Sequence, residues 1–349
     1  MSVARGRRPT LVALAALAAL AIGCKDKKKA PPPPPTPVPV AALAAIPADA
    51  TVVVGLDMPR LASSDVVAGA VADMLVSDPG LAENFRRLAT QCGVDVTRQI
   101  RSVHLALAPG GTGAARRALL VATGQLDEAA LTRCLQAAVG AGGGQVTAQV
   151  RGARSLYTLV EGRHTMYFAF GQADTVVIGP DQAWVEAALG DGPKVGASAL
   201  APYLAAVDQS RALWFVALMD AELGQSLVRT TKGAIAAPPA AVYAELDPHD
   251  GFAAHAAFAM ASAGDATALT QFARGELALG SLAAQAWNLG PVVAKVKVVA
   301  EAAAVHFTVQ LTDAEFKDVL AAVDSGGDGG QDAPPAADGG LGTAPTAGP

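Results

Sequence analysis

Residues 118–135, ALLVATGQLDEAALTRCL, change period in the middle. Ala118 to Thr123 is a short apolar, β-branched run of strand length. From Asp127 onward Ala130, Leu131, Cys134 and Leu135 recur at helical spacing. Strand, turn, aspartate, helix is written into eighteen residues. The same order returns at 175–189 (TVVIGPDQAWVEAAL), 256–272 (AAFAMASAGDATALTQF) and 305–320 (VHFTVQLTDAEFKDVL), with Asp181, Asp265 and Asp313 at the helix starts. A carboxylate there accepts orphan N–H groups and favours the positive end of the helix dipole, so capping is the expected role. A four-aspartate metal site would need these helix starts to converge, and helices starting along one sheet are spaced apart.

Working outward, ATVVVGLDM (50–58) reads as a first strand after the turn residues Pro47-Ala48-Asp49. Ser63-Ser64-Asp65 caps a helix to about Leu75, and Asp78-Pro79 opens another that Gly93 stops. IRSVHLALAP and RRALLVATG form two strands across a Gly-rich hairpin at 109–115. Aligning Val54 with Val216 also pairs Leu56 with Leu218, Leu61 with Leu223 and Ser64 with Ser226. Aligning Leu126 with Leu311 pairs Leu131 with Phe316 and Leu135 with Leu320. The expectation is therefore an α+β fold of two related halves, 41–191 and 192–324, each of mainly antiparallel sheet with helices packed on one face. GDGPKVGAS (190–198) is the linker by composition.

The two ends have a different character. Arg5, Arg7 and Arg8 precede the apolar run Leu11–Gly23, which as a helix spans about 20 Å against a hydrocarbon core of roughly 30 Å. A positive start, a short apolar middle and small closing residues describe a secretory signal peptide, residues 1–23. Ala21-Ile22-Gly23-Cys24 resembles the bacterial lipobox, with Ala where Leu is usual. That resemblance implies cleavage before Cys24 and acylation of its thiol, with palmitate-like chains worth about 0.8 kcal/mol per buried methylene. Residues 24–40 follow as Cys24, the cluster Lys25, Lys27, Lys28 and Lys29, and a run in which seven of the ten residues 30–39 are proline. Such a run favours polyproline II at about 3.1 Å per residue and makes a stalk. Lys25, where an Asp would resemble an inner-membrane retention signal, points to the outer membrane. Residues 325–349 hold Gly, Asp, Pro, Ala and Thr with Leu341 as their one large apolar side chain, the composition of a disordered tail. IPADATVVVGLDMPRLASS (46–64) resembles the start of uncharacterised bacterial envelope proteins built from two such halves, and this resemblance implies no activity.

Composition narrows the function. The chain carries a formal net charge of −5, and −8 once the three signal-peptide arginines are gone. The basic tether and acidic tail cancel, which leaves the body at −8 and argues against nucleic acid as a partner. Aromatics are 5% and alanine dominates the apolar residues, so thin cores are expected. With Cys24 acylated, two cysteines remain, and an exported protein invites a disulfide between Cys92 and Cys134. Leu81, Phe85, Leu88 and Cys92 share one helical stripe, and Ala130, Leu131, Cys134 and Leu135 another. A pair of buried free thiols is the other reading.

The sequence offers no G-x-S-x-G elbow, and Gly110-Gly111-Thr112-Gly113 leads into a strand and not a helix, unlike a phosphate loop. No cofactor motif is present. The five histidines, 104, 164, 249, 255 and 306, make no pair at zinc spacing. ELDPHDGFAAH (245–255) is the densest polar cluster. Asp247, His249 and Asp250 could ligate a metal from a turn, but Asp-Pro-His-Asp-Gly is first of all hairpin chemistry. His104 and His306 lie inside strands as half-buried residues. The reading is a lipid-anchored envelope protein, a non-enzymatic binding or scaffold module with a membrane and an envelope protein as partners. The alternative is an exported, hydrolase-like enzyme with a site assembled from residues far apart in sequence.

Overall fold

The computed structural model describes residues 42–93, 95–109, 117–172, 174–285 and 289–327. The signal peptide, Cys24, the lysine cluster, the proline run, the hairpin tip at 110–116 and residues 328–349 lie outside them. In chain order the first half holds β1 (Val52–Asp57), α1 (Met58–Ala62), α2 (Asp65–Ser77), α3 (Pro79–Cys92), α4 (Val96–Gln99), β2 (Ile100–Ala108) and β3 (Arg117–Gly124). It continues with α5 (Glu128–Ala141), β4 (Gln145–Arg151), β5 (Arg154–Glu161), β6 (His164–Gln172), β7 (Thr175–Gly179) and α6 (Gln182–Leu189). The second half holds α7 (Ala201–Ala206), β8 (Leu213–Leu218), α8 (Ala221–Thr230), β9 (Ala241–Asp247) and β10 (Phe252–Ala259). It closes with α9 (Ala263–Ala284), α10 (Gly290–Ala294), β11 (Lys297–Glu301), β12 (Ala304–Leu311) and α11 (Asp313–Gly327). Ser325–Gly327 thus extend the last helix, where composition placed the start of the tail.

The fold is α+β, with all twelve strands in one antiparallel sheet ordered β11-β12-β10-β9-β8-β1-β2-β3-β7-β6-β5-β4. Outward from the central β8–β1 pair the order is symmetric. One side runs β8, β9, β10, β12, β11 and the other β1, β2, β3, β7, β6, with the β5–β4 hairpin as an addition. Each half places a helix after its first, third and inner returning strand: α1, α5 and α6 in one, α8, α9 and α11 in the other. The aligned segments around Val54 and Val216 are these two central strands, paired Val54 to Phe215 and Val53 to Val216.

Local chemistry starts the helices. Asp57, Asp127, Asp181 and Asp220 each accept the N–H three residues on, from Arg60, Ala130, Trp184 and Leu223, at 2.6–3.0 Å. Ser64 does the same for Val67. Two of the expected aspartate caps work differently. Asp265 sits inside α9 and ties down the preceding loop, accepting from Ala236 N–H at 2.6 Å and the Ser262 hydroxyl at 2.7 Å. At α11 a capping box between Thr312 and Glu315 does the work next to Asp313.

Register fixes what each face buries, because directly paired residues share a face. The partners Ile178, Leu120, Leu105, Val54, Phe215 and Ala244 carry one face across both halves. On it α5 covers Tyr157, Phe168 and Phe170 through Leu131 and Leu135, and α9 covers Phe258, Val298 and Val305 through Leu269 and Phe272. The longer helices therefore follow the expected one-sided packing. The opposite face is covered only over its middle, where Trp184, Val185 and Ala188 of α6, Leu204 of α7 and the turns at Ala45 and Val195 close over Val53, Val121, Val177 and Trp214. Among the described residues no helix is long and apolar enough to cross a membrane.

A polar row on the open half of the sheet

One row of cross-strand partners crosses this second face: Val177, Val121, His104, Gly55, Trp214, Glu245, His255, Thr308 and Lys297. Its first five members lie under the covering helices, and its last four do not. The change from apolar to polar coincides with the edge of the helical layer. This is why strands FAAHAAFA and AVHFTVQL alternate small apolar residues with histidines, threonine and glutamine. The bare half is a groove of about 750 Å³, lined by Arg211, Glu245, His255, Lys297, Thr308 and Gln310 among others.

Two side chains of the groove, Glu245 and His255, continue into His306 as a linear chain. Glu245 Oε1 lies 3.2 Å from His255 Nδ1, and His255 Nε2 lies 2.9 Å from His306 Nδ1. The two imidazoles are nearly coplanar, at 6° with centroids 5.2 Å apart. With Glu245 as carboxylate, an acceptor only, His255 donates from Nδ1 and accepts at Nε2 from the His306 Nδ1–H. His306 Nε2 then ends the chain with a free lone pair. Burial and the neighbouring His255 hold the His306 pKa below its ordinary value, against the opposite pull of Glu301. The Tyr243 ring meets His255 edge-on and stacks on Tyr203 of α7, which backs the pair from the core side.

The other charged groups around the groove are matched. Glu245 also accepts Asp208 N–H at 2.8 Å. Asp208 binds Ser210 and Arg211, and those hydrogen bonds hold its pKa down. Lys295 pairs with Glu315 at 2.5 Å, which with the Thr312 N–H lowers the Glu315 pKa to about 2. Lys297, by contrast, has no carboxylate partner among the described residues.

The residues singled out in the sequence separate here. Asp247, His249 and Asp250 do form the expected β9–β10 turn, with Asp250 at φ 55° and Gly251 at φ 103°. Asp247 points inward to Arg60 at 2.8 Å and to Arg211 at 3.4 Å, His249 Nδ1 lies 3.4 Å from Ser63 Oγ, and the Asp250 side chain is exposed. Among the described residues no three His, Cys, Asp or Glu side chains are grouped to hold a metal ion. Glu245 and His255 of the same cluster do meet, but their third partner, His306, lies 51 residues further on. Only the β10–β12 register, with Ala257 opposite His306, reveals it. His104 is 8% exposed inside β2. Cys92 and Cys134 stand at disulfide distance, Cα to Cα 5.1 Å, joining α3 to α5.

No protein-family model and no curated protein matches this sequence. Two crystal forms of TP0453, III and I, are similar in structure with TM-scores of 0.47 and 0.45, at 9% identity, over 81% and 82% of this chain and 98% of that one. Likeness at this level carries nothing about activity.

Proposed function

We propose that this chain is a lipid-anchored protein of the bacterial envelope whose body is a non-enzymatic binding module. Acylated Cys24 and the proline stalk would hold the body off the membrane, in the outer membrane facing the periplasm or the cell surface. The observation behind the binding reading is the bare half of the sheet. A groove of about 750 Å³, in the size range of ligand sites, presents unmatched hydrogen-bonding groups on a rigid sheet. The hydrolase alternative would use the Glu245–His255–His306 chain as a general base. Binding is favoured over it because both ring nitrogens of His255 are taken, by Glu245 and His306, and among the described residues no Ser, Thr or Cys side chain is hydrogen-bonded to that chain as a nucleophile would be.

Two experiments test the two parts. Fractionation of wild type against Cys24→Ala addresses the anchor: equal membrane association in both refutes it. A photo-cross-linking residue at Thr308, compared with one at Thr147 on the opposite sheet edge, addresses the groove in intact cells. An adduct at 308 and none at 147 is expected. No adduct at either position removes the binding reading.

A further inference from the structure

Resting on the groove reading, we propose that the groove takes the anionic end of its ligand, a carboxylate or phosphate oxyanion. The anion would lie between Lys297, Thr308 and the His255–His306 pair, and one proton on that pair would strengthen binding. The site follows from which groups are already satisfied. Glu245 accepts from His255 and from Asp208 N–H, Glu315 from Lys295, and Asp247 from Arg60 and Arg211. The acids thus have their donors, whereas among the described residues the Lys297 ammonium has no carboxylate acceptor and the Thr308 hydroxyl no hydrogen-bond partner. These two are direct cross-strand partners, and Thr308 is in turn the partner of His255. Their side chains therefore project together from adjacent strands of one face.

The histidine pair adds a switchable charge. A first proton goes to the free His306 Nε2 without breaking the chain, because Nδ1–H still donates to His255. The resulting imidazolium is relayed to the Glu245 carboxylate through His255. The titratable groups facing the pair are Glu245 and Tyr243 on β9, Lys297 and Glu301 on β11, Tyr203 on α7 and Arg211 before β8. Glu301 favours the added proton on His306, while burial and His255 oppose it. An anion held beside the pair adds a second negative charge that favours the proton, so anion and proton help each other.

Sulfate is the probe, because its charge is constant over the range, with inorganic phosphate and succinate as further oxyanions. Calorimetry on the folded body is expected to show sulfate binding that tightens at least about fivefold from pH 7.5 to 5.5, within the limit of about tenfold per pH unit for one proton. Lys297→Met weakens binding at both pH values. His306→Gln abolishes the pH dependence. Thr308→Val, a surface change with little effect on folding, weakens binding as Lys297→Met does. Vesicles carrying phosphatidate, against phosphatidylcholine alone, distinguish a headgroup from a free anion as the source. No oxyanion binding at pH 5.5, or a pH dependence unchanged in His306→Gln, overturns the proposal. An adduct from position 308 without oxyanion binding would sink this inference and keep the groove reading.

Discussion

Arg60 Nε donates to Asp247 Oδ2 at 2.8 Å, and this one hydrogen bond joins α1 of the first half to the end of β9 in the second. Burial alone would push the Asp247 carboxyl up. Arg60, the His249 N–H and Arg211 outweigh it, and its pKa lies below the ordinary value. A carboxyl lowered on folding contributes stability that is present above its unfolded pKa, about 3.9, and lost as pH falls through the folded value. Asp247→Asn should therefore cost about 1–3 kcal/mol at neutral pH. The difference from wild type should shrink as both are acidified below pH 4. Urea midpoints at pH 7 and pH 3 check this, and a gap that widens toward pH 3 contradicts it.

His104 behaves in the opposite sense. It lies edge-on to Trp214, ring centroids 5.7 Å apart, with Nδ1 buried and unpartnered, and burial lowers its pKa to about 4. Between the unfolded value near 6.5 and that figure the unfolded chain binds a proton that the folded chain refuses. Stability should then fall by about 3 kcal/mol as pH drops from 7 to 4. His104→Leu removes the titrating group. Its stability should vary across this range by about 3 kcal/mol less than wild type's. Equal slopes in the two proteins, measured by chemical denaturation, would remove His104 as the source.

Gly55 is the close-approach position of the central pair. It sits opposite both His104 and Trp214, and a Cβ there would run into the indole at Cε2, Cζ2 and Nε1. Gly55→Ala is expected to destabilise by about 1–3 kcal/mol through overpacking. Trp214→Leu in the same chain should recover part of that loss, a non-additivity read from the double-mutant cycle. Purely additive costs would mean that the indole is not the obstacle.

The parts of this molecule that depend on nearest neighbours in sequence are legible in it, and the parts that depend on register are not. Asp127 and Asp181 cap their helices because the acceptor and the N–H are three residues apart, and the β9–β10 turn follows from Pro248, Asp250 and Gly251. Asp265 has the same local context, but the loop at Ala236 captures its carboxylate, a tertiary contact no spacing records. The repeat around Val54 and Val216 shows in sequence, whereas nothing local states that the two strands pair with each other and merge the halves into one sheet. The groove is hidden for the same reason. Glu245, His255, Thr308 and Lys297 come from four strands, and each alone looks like an ordinary polar residue on a half-exposed strand.

Cys92 and Cys134 allow a last test of how the covering layer is held. Cys134 is buried on α5, and a bond to Cys92, 42 residues earlier, ties α3 to the helix that covers Tyr157 and Phe168. Closing a loop of this length stabilises by about 4 kcal/mol in the chain-entropy model. Reduction, or Cys92→Ala with Cys134→Ala, should lower the denaturation midpoint accordingly. Hydrogen exchange should quicken first in α3 and not in the central strands, because α3 rests on α5 while β1 and β8 are paired on both sides. Free thiols at both positions in protein purified without reductant, or a reduced chain as stable as the oxidised one, would show that the helices are held by packing alone.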